Sequence, residues 1–233
     1  LVLEYCSGGT LENKIKKKEE ISSSEKKSIC FQIVSALKYC FDMSIAHRDI
    51  KTSNILFDGN GRVKVADFGL SQIIHQDDDS NLFHGSLRYA SPEICRKISF
   101  NPYKSDVWSL GVLFYRLYTY SYPFDGRTEK DLKNQIIDGF YAEKLKGSMS
   151  KVIRQMLSVN PDERPTINKL ADMITSPPLP PPNNPKLMYS SSASKFPKLM
   201  IQTGYKRKNS YPKPSPAPDP SQNPIAKCIN VHR

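Results

Sequence analysis

The sequence predicts a mainly α-helical domain carrying small β-hairpins, followed by a disordered tail. Three observations carry that expectation: an apolar period of four after a capping signal at Ser22, a glycine-rich turn at residues 58–61 between two short strand-like runs, and an abrupt change of composition after Thr175. At 233 residues the chain holds one domain, residues 1–175, and a tail, residues 176–233. The tail has 13 of the 18 prolines and carries 9 Lys and Arg against one acid, a net of +8. The first 175 residues carry 25 basic against 22 acidic side chains, a net of +3. The formal charge of +11 therefore belongs mostly to the tail, and no nucleic-acid partner is expected. There is no run of about 18 apolar residues, so no membrane span and no membrane partner is expected either.

The elements follow in order. Ser22, Ser23, Ser24 and Glu25 fit a capping box, serine at the cap and glutamate three residues on. Ile29, Ile33, Leu37 and Phe41 then recur at four-residue steps, which gives a helix one apolar face. Cys30 and Cys40 fall on that helix and read as small core hydrophobes. The cysteines at 6, 30, 40, 95 and 228 show neither metal-ligand spacing nor a disulfide framework, which suits a reducing cytoplasm or nucleus.

Residues 55–58 read as a strand, Asp58-Gly59-Asn60-Gly61 as a turn and residues 62–66 as the return strand. Asp-Gly and Asn-Gly supply the positive φ angles of a tight hairpin. Asn54 and Asp67 flank the hairpin and must share its open end, where two oxygen donors make half of a magnesium site. Residues 106–118 are apolar nearly all round, as in a helix buried within the domain. Further helices are expected at 132–137, 152–157 and 167–174, the last ended by Pro177 and Pro178. About 175 residues suffice for a substantial core.

The most informative stretch is His47-Arg48-Asp49-Ile50-Lys51-Thr52-Ser53-Asn54, followed by Asp67-Phe68-Gly69. It sets one carboxylate, one ammonium and two metal-ligand side chains around the hairpin, which suits moving a phosphoryl group from a magnesium-bound nucleotide to a hydroxyl. Leu1-Val2-Leu3-Glu4-Tyr5-Cys6-Ser7-Gly8-Gly9 precedes it, and Ser91-Pro92-Glu93, Ser105-Asp106-Val107-Trp108-Ser109-Leu110-Gly111 and Asn160-Pro161-Asp162-Glu163-Arg164-Pro165-Thr166 follow. In these five motifs the chain resembles a eukaryotic protein kinase of the Ser/Thr type from the hinge onward, that is, its C-terminal large lobe. The phrasing is closest to the group of calmodulin-dependent and AMP-activated kinases.

The resemblance implies ATP and Mg2+ as cofactors and a Ser or Thr hydroxyl of a protein substrate as acceptor. It implies that Asp49 orients the hydroxyl and accepts its proton, that Lys51 neutralises the moving phosphoryl group, and that Asn54 and Asp67 hold magnesium. Glu4 and Cys6 would meet adenine through the carbonyl of the first and the amide of the second. Leu3 would gate the pocket behind the base and Leu56 would form its floor, although an ordinary core leucine is the other reading of both. Glu93 and Arg164 resemble a buried ion pair that ties the activation segment to the lobe, and Asp106 a brace beneath the catalytic loop. Arg48 resembles the arginine that pairs with an activating phosphate.

Three departures from the family pattern matter. No glycine-rich loop or phosphate-gripping lysine can be placed in residues 1–233, so the small N-lobe is absent from this chain and the chain alone is expected to phosphorylate nothing. A non-catalytic scaffold or regulatory module is the alternative; intact Asp49, Asn54 and Asp67 speak for the enzyme. The usual activating acceptor position falls on Leu82, which leaves Asp77, Asp78, Asp79 or a phosphate on Ser80 to pair with Arg48, or else a solvated acidic loop. Thr10, Ser53 and Arg116 stand where basic-directed relatives place acids, so a weak preference for upstream arginine is expected unless Glu12 or Glu143 substitutes. In the tail, Pro177-Pro178-Leu179-Pro180-Pro181-Pro182 is either a polyproline II ligand for an SH3- or WW-type partner or a stiff spacer. Lys206-Arg207-Lys208 is either a nuclear import signal or solvated linker.

Overall fold

Two long helices carry the fold. In the computed structural model, which describes residues 4–73 and 86–174, they are α2 (Ser23–Asp42) and α4 (Pro102–Thr119). The others are α1 (Leu11–Lys16), α3 (Pro92–Cys95), α5 (Glu129–Asp138), α6 (Ser148–Met156) and α7 (Ile167–Met173). Four short strands complete it: β1 (Ile45–Ala46), β2 (Ile55–Phe57), β3 (Val63–Val65) and β4 (Gln72–Ile73). Leu3, the segment with Asp77, Asp78, Asp79, Ser80 and Leu82, and the tail from residue 175 lie outside the described residues.

The helix expected after Ser22 forms, and Ser22 Oγ accepts from the Glu25 amide at 3.1 Å. Only that half of the expected capping box is made. The reciprocal box occurs instead on α5, between Thr128 and Asp131, whose Thr-x-x-Asp spacing carries the same kind of signal. Ile29, Ile33 and Leu37 are buried together with Cys30, Val34 and Cys40, so the expected apolar stripe is widened by a neighbouring row. This face covers α7, β1 and the β3 side of the hairpin.

Every residue of α4 from Ser105 to Leu117 is buried. A helix with no solvent face must find partners for its polar side chains inside the protein. Ser105 meets Ser91 hydroxyl to hydroxyl at 3.1 Å, and Ser109 donates to the Tyr89 carbonyl at 2.7 Å. Its entry is fixed by Asn101, whose Oδ1 accepts from the amides of Tyr103 and Lys104, with Pro102 in the first turn, where a missing N–H costs nothing.

The hairpin pairs β2 with β3 antiparallel in the register Ile55↔Val65, Leu56↔Lys64 and Phe57↔Val63. The Asp58 amide donates to the Arg62 carbonyl at 2.9 Å, which leaves a three-residue loop. Gly61 alone takes the positive φ, 75°; Gly59 does not, contrary to the expectation for Asp-Gly. A turn followed by one left-handed residue replaces the tighter two-residue connection. β1 and β4 form a second, two-residue pairing that the sequence did not signal.

Glu93 and Arg164 form a bidentate pair at 2.7 and 2.8 Å, buried on both sides. The remaining guanidinium N–H groups go to the carbonyls of Ser158, Lys104 and Val159, and the plane lies 5.0 Å from the Trp108 ring. All five donors are thus used. Burial alone would raise the Glu93 carboxyl, but the Arg164 hydrogen bonds and charge outweigh it and hold it below the ordinary carboxylate range. Removing one member strands the other. Glu93→Gln is expected to lower unfolding stability by about 3–5 kcal/mol, read from denaturant titration; a loss under about 1 kcal/mol would show that the pair is not a support.

Candidate active site

The loop after β1 is bent sharply and held from below. Arg48 adopts the left-handed region at φ 67°. Asp106 lies beneath it, with Oδ2 accepting from the His47 amide at 2.7 Å and Oδ1 from the Arg48 amide at 2.9 Å. The brace inferred for Asp106 is therefore a pair of main-chain hydrogen bonds reaching back 59 and 58 residues. The His47 ring is fully buried. Its Nε2 donates to the Ala66 carbonyl at 3.1 Å, and its Nδ1 accepts from the Asp49 amide at 3.3 Å. That pairing requires the neutral imidazole with its proton on Nε2. The ring also packs on Phe68, with centroids 4.6 Å apart. His47 was passed over as a functional side chain because nothing in the sequence separates it from the residues beside it.

Asp49, Lys51 and Asn54 converge. Lys51 Nζ donates to Asp49 Oδ2 at 2.6 Å. Asn54 Nδ2 donates to the Asp49 carbonyl at 2.9 Å and to Asp49 Oδ2 at 3.2 Å. Asp49 and Asn54 are buried, while Lys51 keeps a partly open side chain. With its nitrogen committed to Asp49, the Asn54 amide turns its oxygen the other way. Across the hairpin mouth the Ala66 amide donates to the Asn54 carbonyl at 2.9 Å, which brings Asp67 to the same end. Asp67 takes φ 64°, and its carboxylate accepts from the Gly69 amide at 3.4 Å.

These donors suit a hard cation. Asn54 Oδ1 and the Asp67 carboxylate are oxygens, and no group of three or more His, Cys, Asp or Glu able to hold a metal exists among the described residues. A magnesium ion there would take the rest of its shell from water and phosphate, as that ion prefers.

The hinge lies against the hairpin. The Gly8 amide donates to the Phe57 carbonyl and the Phe57 amide to the Gly9 carbonyl, each at 2.9 Å. A Cβ at Gly8 would come within 2.6 Å of the Phe57 Cβ, so only glycine permits this approach. The Glu4 side chain is spent on an exposed ion pair with Lys64 at 3.1 Å. Among the described residues no protein partner takes the Glu4 carbonyl or the Cys6 amide, the two groups inferred to meet adenine. Leu56 points away from the core that takes Ile55 and Phe57, and it is absent from the core cluster. A half-buried leucine at that place is available as a floor for a flat base.

The expectation for Arg116 needs correction. It is not a bare cation facing a peptide: it is buried and forked onto Glu12, with Nη2 donating to Oε1 at 2.9 Å and Nη1 to Oε2. Glu12 is engaged by the same pair and is not free to replace a missing acid, and Glu143 is taken by Ser150 and Arg154. Thr10 caps α1, accepting from the Asn13 amide, and Ser53 is exposed. Thr52 and Tyr89, which complete the Arg116 cluster, were missed; contacts spanning up to 104 residues leave no local signature.

Comparison with known proteins points to one family. The protein kinase domain model matches residues 1–174. The chain is 44% identical over 172 residues to NUAK family SNF1-like kinase 2 of Homo sapiens, covering 73% of this chain and 27% of that one. It is 42% identical over 173 residues to NUAK family SNF1-like kinase 1 of Mus musculus, covering 74% and 26%. A probable serine/threonine-protein kinase of Dictyostelium discoideum is 35% identical over 174 residues, covering 74% and 21%. The chain thus spans about a quarter of the length of the first curated relatives it matches.

Two buried ionisable groups give the site a pH dependence of mixed sign. Burial holds the His47 imidazole below its usual 6.5, against the Ala66 carbonyl and the Asp49 and Asp67 charges. The unfolded chain then takes up a proton that the folded one refuses, so this contribution is complete above 6.5 and is lost as pH falls through that value. Burial pushes the Asp106 carboxyl from 3.8 up to about 7, against the two amide donors and the Arg48 charge. Its sign is opposite, with stability lost as pH rises across that interval. Comparing the parent with His47→Gln cancels the Asp106 contribution. The stability advantage of the parent is expected to shrink between about pH 7.5 and about pH 5; an advantage equal at both would contradict a neutral His47.

Proposed function

The chain belongs to the protein kinase family, and on that footing we propose that it is the catalytic large lobe of an ATP- and magnesium-dependent kinase acting on Ser and Thr hydroxyls of proteins. The convergence of Lys51 Nζ and Asn54 Nδ2 on Asp49 Oδ2, at 2.6 and 3.2 Å, carries this reading. Asp49 is buried and oriented by both neighbours, so it presents one carboxylate edge to an incoming hydroxyl. The hydroxyl loses its proton to Asp49 as its oxygen bonds to the γ-phosphorus. The bond from that phosphorus to the β–γ bridging oxygen breaks, and ADP leaves with the electron pair. Lys51 places positive charge beside the oxygens that carry the transferred charge. Magnesium, held by Asn54 and Asp67, neutralises the phosphate oxygens when bound. Leu56 and the main chain at Glu4 and Cys6 seat the adenine.

Electrostatic positioning is most of this catalysis. Residues 1–233 contain the floor of the nucleotide site and no glycine-rich loop or strand lysine to lie over the phosphates. We therefore propose that these residues act within a longer polypeptide and transfer nothing measurable by themselves. The free thiols of Cys6, Cys30, Cys40 and Cys95 support a reducing compartment, cytoplasm or nucleus.

In the polypeptide carrying both lobes, Asp49→Asn is expected to lower kcat about 10²–10⁴-fold, measured as phosphate transfer to a generic Ser/Thr peptide. Activity within about twofold of the parent, or robust transfer by residues 1–233 alone, would refute the assignment. With Thr10 and Ser53 neutral and Arg116 paired to Glu12, a peptide array is expected to show little selection for upstream arginine; a dominant arginine there would mean that other acids form the subsite.

A further inference from the structure

Beneath the catalytic loop lies a polar cluster that the chemistry above does not use. Arg116 on α4 and Glu12 on α1 are 104 residues apart in sequence and form a forked pair whose side chains are 8% and 16% exposed. Withdrawing two charges from water is costly and does not by itself add stability. The pair is joined by two hydroxyls. Thr52 Oγ1 donates to Glu12 Oε2 and accepts from Arg116 Nη1 at 2.7 Å. Since the Thr52 proton goes to Glu12, the Tyr89 hydroxyl is the donor in its 2.9 Å contact with Thr52 Oγ1. The same Tyr89 oxygen accepts from Arg116 Nη1 at 3.1 Å and from the Thr52 amide at 3.4 Å. The guanidinium lies 4.1 Å from the centre of the Tyr122 ring.

The place of Thr52 gives this cluster its meaning. Thr52 opens the single 3-10 turn Thr52–Asn54, directly after Lys51. Three side chains from three separate segments grip it by hydroxyl and amide together. Whatever fixes Thr52 fixes Lys51 on one side and Asn54 on the other, and both must meet Asp49 Oδ2. Tyr89 adds a second connection, because it closes the turn Leu87–Tyr89 and so ties that segment to the loop.

We infer that the Glu12–Arg116 pair, acting through Thr52 and Tyr89, is a positioning device that sets the geometry of Lys51 and Asn54 about Asp49. This rests on the kinase reading, and it assigns Glu12, Arg116, Thr52 and Tyr89 as positioning residues rather than catalytic ones. A displacement of about 1 Å at a reacting group can cost about 10²-fold in rate, so the effect belongs in kcat.

The test uses the polypeptide carrying both lobes, with magnesium-ATP and an acceptor peptide, and Thr52→Val, Arg116→Met, Glu12→Gln and the Glu12→Gln/Arg116→Met double variant. Rates are taken well below each melting temperature. Thr52→Val removes the hydroxyl while keeping the shape, and it carries the test if a charge variant does not fold. The expected result is a kcat lower by about 10- to 100-fold in Thr52→Val and Arg116→Met, with the KM for ATP within about twofold. The double variant should fall no further than Arg116→Met, as for residues acting as one unit. A kcat within about twofold of the parent in folded Thr52→Val, or additive losses in the double variant, would overturn the inference. A parent with no Asp49-dependent transfer would overturn the kinase reading instead.

Discussion

A backbone turned through the left-handed region at Arg48, φ 67°, needs something to hold it, since such a residue costs on the order of 1 kcal/mol or more. Asp106 provides that hold by taking the amides of His47 and Arg48, one on each carboxylate oxygen. The direction in which the loop leaves β1 follows, and with it the place of Asp49 two residues after His47. The carboxylate can act so only because α4 is buried along nearly its whole length, which puts Asp106 under the loop and away from water. Burial pushes its carboxyl up to about 7, so the hold is obtained against the cost of desolvation.

The same helix supplies the other supports. Ser109 takes the Tyr89 carbonyl, Arg116 reaches Glu12 and Thr52, and Trp108 lies against Arg164 while stacking on Phe124 at 5.6 Å. Polar residues at 105, 106, 109 and 116 leave the helix towards residues 89–91, the loop at 47–52 and Glu12, each of which carries part of the site or its border. A helix buried along nearly its whole length also has a cost: among the described residues the Trp108 Nε1 and Tyr118 hydroxyl groups find no hydrogen-bond partner. The chain thus spends stability on one element to fix several loops at once.

Much of this was legible. The helix at 23–42 followed from a serine cap and a period of four, and the hairpin from turn residues between short strands, because both signals are local. The nearness of Asp49, Lys51 and Asn54 is likewise local, since they lie within one short loop. What escaped notice depends on distant pairing. The strands β1 and β4 are two residues each, too short for a period. Arg116 read as a lone cation because its partner, Glu12, belongs to another segment entirely. The Asp58-Gly59 dipeptide suggested positive φ, but only Gly61 takes it once Asp58 pairs with Arg62.

The geometry at the hairpin mouth is tested most directly by a crystal structure of the two-lobed protein with magnesium and a non-hydrolysable ATP analogue. We expect a metal ion within about 2.0–2.2 Å of Asn54 Oδ1 and an Asp67 oxygen, with the Asp49 carboxylate facing the γ-phosphate across the space for a hydroxyl. A metal bound elsewhere, or residues 49, 54 and 67 turned away from a common nucleotide, would contradict it.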